Sequence, residues 1–255
     1  MEDQNFQYKR KLSRAKFDGI ILDLDGVVTQ STKVHAAAWK EMFDTYLSQR
    51  GKREGKDYDP FDRHHDYMLY IDGKPRYEGV KSFLKTRGIE LPWGSLQDPW
   101  DAETICGLGN WKNQLFQKHL LQEGVEVYTT SVDLIIRLRE RGFKIALVSS
   151  SKNCSQILKG AHIAHLFDAQ VDGLVAEKKA LRGKPHPDVF LLAANMLDVK
   201  PEKAVVVEDS LAGVESGKRG HFGLVIGVDR LGHREDLKQA GADIVISDLK
   251  EIEII

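Results

Sequence analysis

The sequence predicts a doubly wound α/β domain that is interrupted by a mostly helical insertion. Five short runs are nearly continuous in Val, Ile and Leu, a pattern that indicates parallel strands buried on both faces. The runs cover residues 19–24, 143–149, 203–208, 222–228 and 242–247. Segments of helical length precede three of these runs, at 131–141, 187–197 and 211–219. Strands that alternate with helices in this way are typical of a parallel sheet with helices on both sides.

The insertion follows the first predicted strand. Residues 32–127 contain no run comparable to the other four. Between residues 32 and 47 apolar side chains recur at helical spacing, and residues 113–121 repeat this pattern. The polar stretch His64-His65-Asp66 offers no further metal ligand and is expected in a loop. The predicted boundaries are 1–31 and 128–255 for the sheet domain, and 32–127 for the helical domain.

The overall charge argues against a polyanionic partner. The 255 residues include 37 Lys and Arg and 38 Asp and Glu, which gives a formal net charge of −1. We therefore expect neither nucleic acid nor a membrane surface as partner. Two cysteines make no disulfide framework. No stretch approaches the roughly 18 apolar residues that cross a bilayer, and acidic residues interrupt the segment after the basic N-terminus, so we expect a cytoplasmic protein. A monomer is expected as well.

The first apolar run ends in Asp23-Leu24-Asp25-Gly26. Alternate residues of a strand face the same side, so the two carboxylates converge beyond its carboxyl end, where open parallel sheets bind ligands. Unpaired buried carboxylates are costly, so both acids need partners. A calcium loop that starts at Asp23 is excluded, because valine stands at positions 27, 28 and 34. A coincidental turn remains an alternative for this motif taken alone.

Further polar side chains lie near the ends of other predicted elements. Ser149 ends the second run and precedes a helix predicted to open at Lys152, where backbone N–H groups suit a phosphate. Lys184 lies in a Gly-Lys-Pro turn, Glu208 ends the third run, and Asp209 follows it directly. Taken alone, Ser149 is a helix cap and Lys184 a surface lysine. Taken together with the Asp-x-Asp pair, these residues indicate a phosphoryl-transfer centre.

The charges of this set favour a divalent cation. Oxygen ligands suit Mg²⁺, and the candidate ligands are Asp23, Asp25, Glu208 and Asp209. A bound cation, together with Lys184, would reverse the repulsion between these carboxylates and a phosphate. Asp23 is the candidate nucleophile, which forms an aspartyl phosphate. Asp25 is the candidate acid and base, which protonates the leaving oxygen and later deprotonates the acceptor.

The order Asp23-x-Asp25, Ser149, Lys184 and Glu208-Asp209 resembles the four motifs of the haloacid dehalogenase superfamily. The resemblance covers essentially the whole chain after the first dozen residues. It implies a Rossmann-like parallel-sheet core with an inserted, mobile α-helical cap, Mg²⁺ as cofactor, and an aspartyl-phosphate intermediate. It also implies that Ser149 and Lys184 bind the phosphate.

Within this superfamily the chain is similar to β-phosphoglucomutase and its close relatives. The similarity lies in DLDGVVTQSTKVHAAAWK, DGKPRYEGVKSFL, GNWKNQLF and SSSKN. It implies that His35 helps to orient the acid–base aspartate, that Arg76 grips the phosphate that is not transferred, and that Lys112 lies over the active site. The remaining implied substrate or phosphate contacts are Ser31, Ser151, Lys152 and Asn153.

Departures from that group put the sugar specificity in doubt. Gln30 and Ser31 stand where the group has Asp and Thr, and Thr129-Thr130 replaces a Pro-Gly at the return to the core. The cap is also longer than the compact version. The extra length is predicted at 49–68 and 91–104, and the sequence indicates no role for either segment.

The leading hypothesis is a Mg²⁺-dependent mutase that converts β-glucose 1-phosphate to glucose 6-phosphate through a 1,6-bisphosphate. A mutase must hold two phosphates, and Arg76 with residues 151–153 supplies a second basic site. A sugar-phosphate phosphatase would use the same residues with water as acceptor, and the sequence separates the two poorly because the difference is water access. A non-catalytic binder of sugar phosphates would be expected to lack Asp23 or Asp25, and both are present.

Overall fold

The computed structural model describes residues 10–230 and 232–255. Two compact units are present. One consists of the chain up to Gln30 together with Glu126–Ile255, and the other of Ser31–Val125. Within the described ranges, no helix has the length and apolar character needed to cross a membrane. The assignment of the two units as catalytic core and cap stays a prediction.

The first unit is built on a parallel sheet. All five predicted runs form strands, although each strand is shorter than its run by one to three residues. The strands are β1 (Lys11–Leu12), β2 (Gly19–Asp23), β3 (Lys144–Val148), β4 (Ala169–Val171), β5 (Ala204–Glu208), β6 (Leu224–Val228), β7 (Ile244–Ile246) and β8 (Glu253–Ile254). Six of them pair in the order β4-β3-β2-β5-β6-β7, and β1 pairs with β8. The sequence missed β4 because three residues with a central Gln170 make no apolar run.

Strand β2 lies at the centre of the sheet. It pairs with β3 from Gly19 opposite Lys144 to Asp23 opposite Val148, and with β5 on its other edge. All five of its residues are buried, which explains why its sequence is continuously apolar up to the terminal acid. The carboxyl ends of β2, β3 and β5 therefore meet at one edge of the sheet.

Helices cover the sheet. The predicted segments 131–141, 187–197 and 211–219 form helices with nearly these bounds. The helices of this unit are Thr129–Glu140, Cys154–Gly160, Gly173–Lys178, Asp188–Met196, Leu211–Arg219 and Arg234–Gln239. Three single-turn 3₁₀ helices follow at Ala164–Leu166, Pro201–Lys203 and Leu249–Glu251. The helix predicted to open at Lys152 begins two residues later, at Cys154, because Ser151 Oγ accepts the N–H of Asn153 at 3.1 Å and holds this segment in a turn.

The second unit is helical. It contains Thr32–Glu54, the π-helix Tyr67–Ile71, Arg76–Thr86 and Ile105–Glu123. The first of these helices runs past the predicted end at Leu47 into the polar segment. It ends at Gly55, whose φ of 64° is left-handed and whose N–H bonds to the carbonyl of Gly51. Aromatic rings of Phe43, Phe61 and Phe83 form the middle of its core, with centroids 4.1 to 5.3 Å apart.

The stretch His64-His65-Asp66 is not the loop that the sequence predicted. His65 and Asp66 begin the helical turn that leads into the π-helix. Asp66 is buried, accepts the N–H of Asp62 at 3.0 Å, and forms an ion pair with Arg87 at 2.6 Å. A buried carboxylate with an arginine partner fixes this segment, so its polar composition is misleading.

Candidate active site

Three predicted site residues meet where β2 and β5 end. Asp23 is the last residue of β2 and Glu208 the last of β5. The ammonium group of Lys184 donates to Asp23 Oδ1 and to Glu208 Oε1. All three side chains are buried, Lys184 at 3% exposure and Glu208 at 0%. The ammonium group of Lys184 thus places one positive charge between two acids that would be costly to bury unpaired.

The electrostatics of this trio favour a charged lysine. Burial lowers the pKa of Lys184, but the charges of Asp23 and Glu208 outweigh burial and raise that pKa above its ordinary value. Burial raises the pKa of Asp23, and the charges of Glu208 and Asp25 raise it further, while Lys184 lowers it. At this edge of the sheet the carboxyl groups of Asp23, Asp25 and Glu208 outnumber the one ammonium group of Lys184.

Glu208 also holds the start of the helix that follows it. Its Oε2 accepts the N–H of Ser210 at 2.8 Å and the hydroxyl of Ser210 at 2.9 Å. The same hydroxyl accepts the N–H of Gly213 at 3.1 Å and caps the helix. A Cβ at position 213 would overlap the Glu208 carboxylate. Both oxygens of Glu208 are therefore engaged within the protein.

Asp25 contacts the end of the neighbouring strand. Ser149 Oγ donates to Asp25 Oδ2 at 3.0 Å, and the N–H of Asp25 donates to Asp23 Oδ2 at 2.8 Å. The hydroxyl of Ser149 accepts the N–H of Ser151 at 3.0 Å, so Ser149 links the loop after β3 to the Asp-x-Asp motif. In the same loop, Lys152 Nζ donates to Glu177 at 2.6 Å.

Gly26 lets Asp209 approach the Asp-x-Asp motif. Gly26 has φ of +88°, a conformation that favours glycine. A Cβ at this position would overlap the carboxylate of Asp209, which is 5% exposed. The sequence signal for this approach was the glycine directly after the second aspartate.

The donor chemistry of this edge fits Mg²⁺. Asp23, Asp25 and Asp209 offer carboxylate oxygens, the donors that Mg²⁺ prefers. Burial raises the pKa of Asp23 most, and a divalent cation would offset the charges of Glu208 and Asp25, which raise that pKa further. Glu208 suits a direct ligand least, because Lys184 and Ser210 engage its oxygens. In the described part of the chain, no three His, Cys, Asp or Glu side chains are arranged as a metal site, so the ligand set stays a prediction.

The helical unit brings two further predicted residues together. Lys112 Nζ lies 2.7 Å from His35 Nδ1 and is 3% exposed. The ammonium group lies 4.9 Å from the ring centroid of Trp39 and 4.8 Å from that of Phe116, and His35 stacks on Phe116 at 4.2 Å. A basic group held by aromatic faces is a preorganised cation.

Arg76 and Ser31 occupy separate positions in the helical unit. Arg76 Nη2 donates to Asn113 Oδ1 at 2.8 Å. Asn113 follows Lys112 directly in sequence, but the sequence analysis did not single it out. Ser31 is buried and precedes the helix Thr32–Glu54, where its carbonyl accepts the N–H of His35 at 2.9 Å.

Arg230 is a contact of the Asp-x-Asp-Gly motif that the sequence did not reveal. Its Nε donates to the carbonyl of Gly26 at 2.8 Å, across 204 positions of the chain. No local pattern marks such a contact, because it depends on how the ends of β2 and β6 lie in the sheet.

The family model of the haloacid dehalogenase-like hydrolases matches residues 17–221. The chain therefore belongs to this family, and the predicted fold class and superfamily are confirmed. The match includes the four motifs whose side chains meet at the sheet edge.

Comparison with individual proteins shows which members of this family the chain is similar to. The chain is 42% identical over 240 residues to the β-phosphoglucomutase of Mycobacterium bovis, which covers 93% of this chain and 92% of that protein. It is 25% identical to a phosphorylated carbohydrates phosphatase of Thermotoga maritima, over 92% of this chain and 99% of that protein. A crystal structure of β-phosphoglucomutase from Clostridium difficile shares the fold, with a TM-score of 0.70, 24% identity and 93% coverage of both chains. The protein is an enzyme of the β-phosphoglucomutase-like group.

Proposed function

We propose that the protein is a Mg²⁺-dependent mutase that converts β-glucose 1-phosphate to glucose 6-phosphate through β-glucose 1,6-bisphosphate. The observation that supports this most is the placement of Asp23 against Lys184 with Asp25 two residues away. The likeness to a β-phosphoglucomutase at 42% identity supports the choice of substrate. The substrate class is a small phosphorylated sugar.

Asp23 is the proposed nucleophile. A carboxylate oxygen of Asp23 forms a bond to phosphorus while the bond from phosphorus to the leaving sugar oxygen breaks. Lys184 favours the ionised form of Asp23 that this attack requires. Mg²⁺, when held by the carboxylates of Asp23 and Asp209, would supply charge neutralisation for the phosphate oxygens, so that the Asp25 carboxyl can carry the proton.

Asp25 is the proposed acid and base. It gives its proton to the leaving sugar oxygen and takes one from the attacking hydroxyl in the second half-reaction, so each turnover returns it to its starting state. Ser149 Oγ fixes the orientation of the Asp25 carboxyl through the 3.0 Å hydrogen bond. Ser149 and Lys184 are proposed phosphate contacts in the same unit.

A mutase needs a second phosphate grip, which a hydrolase does not. In the first unit, Ser151, Lys152 and Asn153 supply a hydroxyl, an ammonium group and an amide. In the helical unit, the proposed contacts are Ser31, His35, Arg76 and Lys112. Cytoplasmic location and a monomeric state stay predictions from the sequence.

The alternative is a sugar-phosphate phosphatase with water as the acceptor. The likeness to a phosphorylated carbohydrates phosphatase favours it. The same Asp23 and Asp25 would act, and the products would be free phosphate and sugar.

One assay separates these functions. The enzyme is supplied with Mg²⁺, β-glucose 1-phosphate and a trace of β-glucose 1,6-bisphosphate, and glucose 6-phosphate and free phosphate are both measured. The mutase proposal expects glucose 6-phosphate with little free phosphate, and free phosphate alone would establish the phosphatase. Asp23→Asn is expected to lower either rate by about 10³-fold or more, since it removes the nucleophile. Unchanged turnover in this variant would rule out the covalent mechanism.

A further inference from the structure

A short loop after β6 contacts the backbone of two catalytic motifs. We call it the clamp loop and define it as Asp229, Arg230, Gly232 and His233, with position 231 outside the described residues. Asp229 Oδ1 accepts the N–H of Gly232 at 2.8 Å and that of His233 at 3.0 Å. The Asp229 carboxylate thus holds the main chain at Gly232 and His233.

The guanidinium group of Arg230 stacks on an aromatic ring and donates two hydrogen bonds. The guanidinium carbon lies 3.7 Å from the ring centroid of Tyr128. Nε donates to the carbonyl of Gly26 at 2.8 Å, and Nη1 donates to the carbonyl of Ser247 at 3.1 Å. A planar, permanently charged group that is stacked and bonded in this way has little freedom to move.

The carbonyl that Arg230 holds belongs to the turn that presents Asp25. The N–H of Gly26 donates to the carbonyl of Thr29 at 2.8 Å and closes the turn. The Gly26 carbonyl belongs to the Gly26–Val27 peptide unit, which shares the Gly26 Cα with the Asp25–Gly26 unit. A shift of Gly26 would therefore reach the backbone of Asp25 through one intervening peptide unit. Gly26 further leaves the space in which the Asp209 carboxylate lies.

The other end of the clamp loop contacts Asp209 itself. His233 Nε2 lies 3.3 Å from the carbonyl oxygen of Asp209, which can only accept a hydrogen bond. His233 is buried. One loop therefore contacts the main chain of the first motif through Arg230 and that of the fourth through His233.

We propose that Arg230 is a positioning residue for phosphoryl transfer, which acts by fixing the Gly26 peptide and so the direction of Asp25. Its described contact with the motif is the main-chain carbonyl of Gly26, so we expect its effect on the rate of the chemical step. The inference rests on the proposed function, in which Asp23 and Asp25 carry the reaction.

Arg234 provides a matched control. It is also an arginine. Its described hydrogen bonds go to the carbonyl of Val245, in β7, and to Ser247 Oγ, directly after β7. Within the described chain these hydrogen bonds do not reach the Asp-x-Asp-Gly turn. Replacing Arg234 removes one guanidinium charge, one hydrogen bond to a main-chain carbonyl and one to a hydroxyl, without releasing Gly26.

The test compares Arg230→Gln, Arg230→Lys and Arg234→Gln with the unchanged enzyme in the mutase assay. We expect Arg230→Gln to lower kcat by about 10- to 100-fold with KM within about threefold, because misplaced catalytic groups affect the reaction more than binding. Arg230→Lys keeps a charged donor, so we expect its kcat to be at least about threefold higher than that of Arg230→Gln. Arg234→Gln is expected to keep kcat within about twofold. Thermal unfolding of every variant is measured beside the kinetics.

Defined results would overturn the inference. These are equal kcat for Arg230→Gln and Arg234→Gln, a loss confined to KM, or no recovery with Arg230→Lys. If Arg230→Gln fails to fold, the decision passes to Arg230→Lys, whose kcat at intact folding must then lie below that of Arg234→Gln. Asp23→Asn separates the two proposals: if it keeps activity, the proposed function fails whatever Arg230 does.

Discussion

Each unit of the molecule buries one lysine among its candidate site residues, and the two lysines are stabilised differently. Lys184, in the sheet unit, contacts the carboxylates of Asp23 and Glu208. Lys112, in the helical unit, contacts the ring nitrogen of His35 at 2.7 Å and two aromatic faces. Both side chains are 3% exposed. Equal burial therefore accompanies different described contacts, which are two carboxylates around Lys184, and a ring nitrogen with two aromatic faces beside Lys112.

The difference decides what each lysine leaves behind when it is removed. Without Lys184, two buried carboxylates lose their counter-charge, and breaking a buried pair costs more than the pair itself contributes. Without Lys112, the described contacts that are lost are one with the ring nitrogen of His35 and two with aromatic faces, and an apolar substitute can keep the aromatic contacts. We therefore expect the loss of Lys184 to destabilise the fold more than the loss of Lys112.

The largest expected effect is that of Lys184→Met. We expect a loss of about 3–5 kcal/mol in the free energy of unfolding at neutral pH, measured by urea titration. The pKa of Asp23 is raised in the folded state, chiefly by burial, so Asp23 stabilises the fold at acidic pH and loses this contribution as pH rises through the raised pKa. The deficit of the variant should therefore shrink as pH falls toward 4.

Lys144→Met serves as the control for this substitution. Lys144 is exposed and donates to the carbonyl of Leu197 at 2.7 Å, so its removal should cost about 0.5 kcal/mol. Similar losses for the two variants, or a deficit at position 184 that does not change with pH, would contradict the ion-pair explanation.

A smaller effect is expected for Lys112→Met. Methionine fills a similar volume against Trp39 and Phe116, so we expect a loss of about 1–2 kcal/mol, the scale of one buried hydrogen bond. If Lys112 also binds substrate, as the sequence predicts, KM rises while folding stays intact. Lys118→Met, an exposed position of the same helix, gives the baseline. A loss as large as that of Lys184→Met would remove the distinction between the two lysines.

The smallest effect is expected in the extended segments of the helical unit. Glu103 accepts from Tyr46 at 3.0 Å and from Arg53 at 2.8 Å, and so joins segment 91–104 to the long helix. Burial raises the pKa of Glu103, but these hydrogen bonds outweigh burial and lower it overall. Burial also raises the pKa of Tyr46 to about 12.

Glu103→Gln should therefore lower stability by about 0.2–1 kcal/mol at neutral pH, because exposed pairs are screened by water. A group with a lowered pKa stabilises the fold above its unfolded pKa of about 4.3 and loses this contribution as pH falls. Urea titrations at pH 7 and pH 3 should show the difference between variant and unchanged protein fading at pH 3. About 1 M salt should reduce it as well. A difference that persists under both conditions would show that the bond acts through packing.

The sheet edge at which β2, β3 and β5 end was predictable because its polar residues come at the ends of strands with a strong apolar signal. Asp23, Ser149 and Glu208 each come at the end of such a run, and parallel strands bring these ends together. Strand β4, with its central Gln170, and the helical turn at Asp66 carried no such signal. Asp66 belongs to a buried ion pair, and buried ion pairs do not show in composition.

By itself the sequence determined the parallel sheet and the helical insertion. It also indicated the acids and the lysine that meet where β2 and β5 end, since apolar periodicity and motif order are local properties. The tertiary structure decided which partner each group has. It placed Lys184 between two carboxylates, occupied both oxygens of Glu208, and brought Arg230 to the carbonyl of Gly26. Such contacts join residues far apart in the chain, and they exist because strand ends and loops share one edge of the sheet.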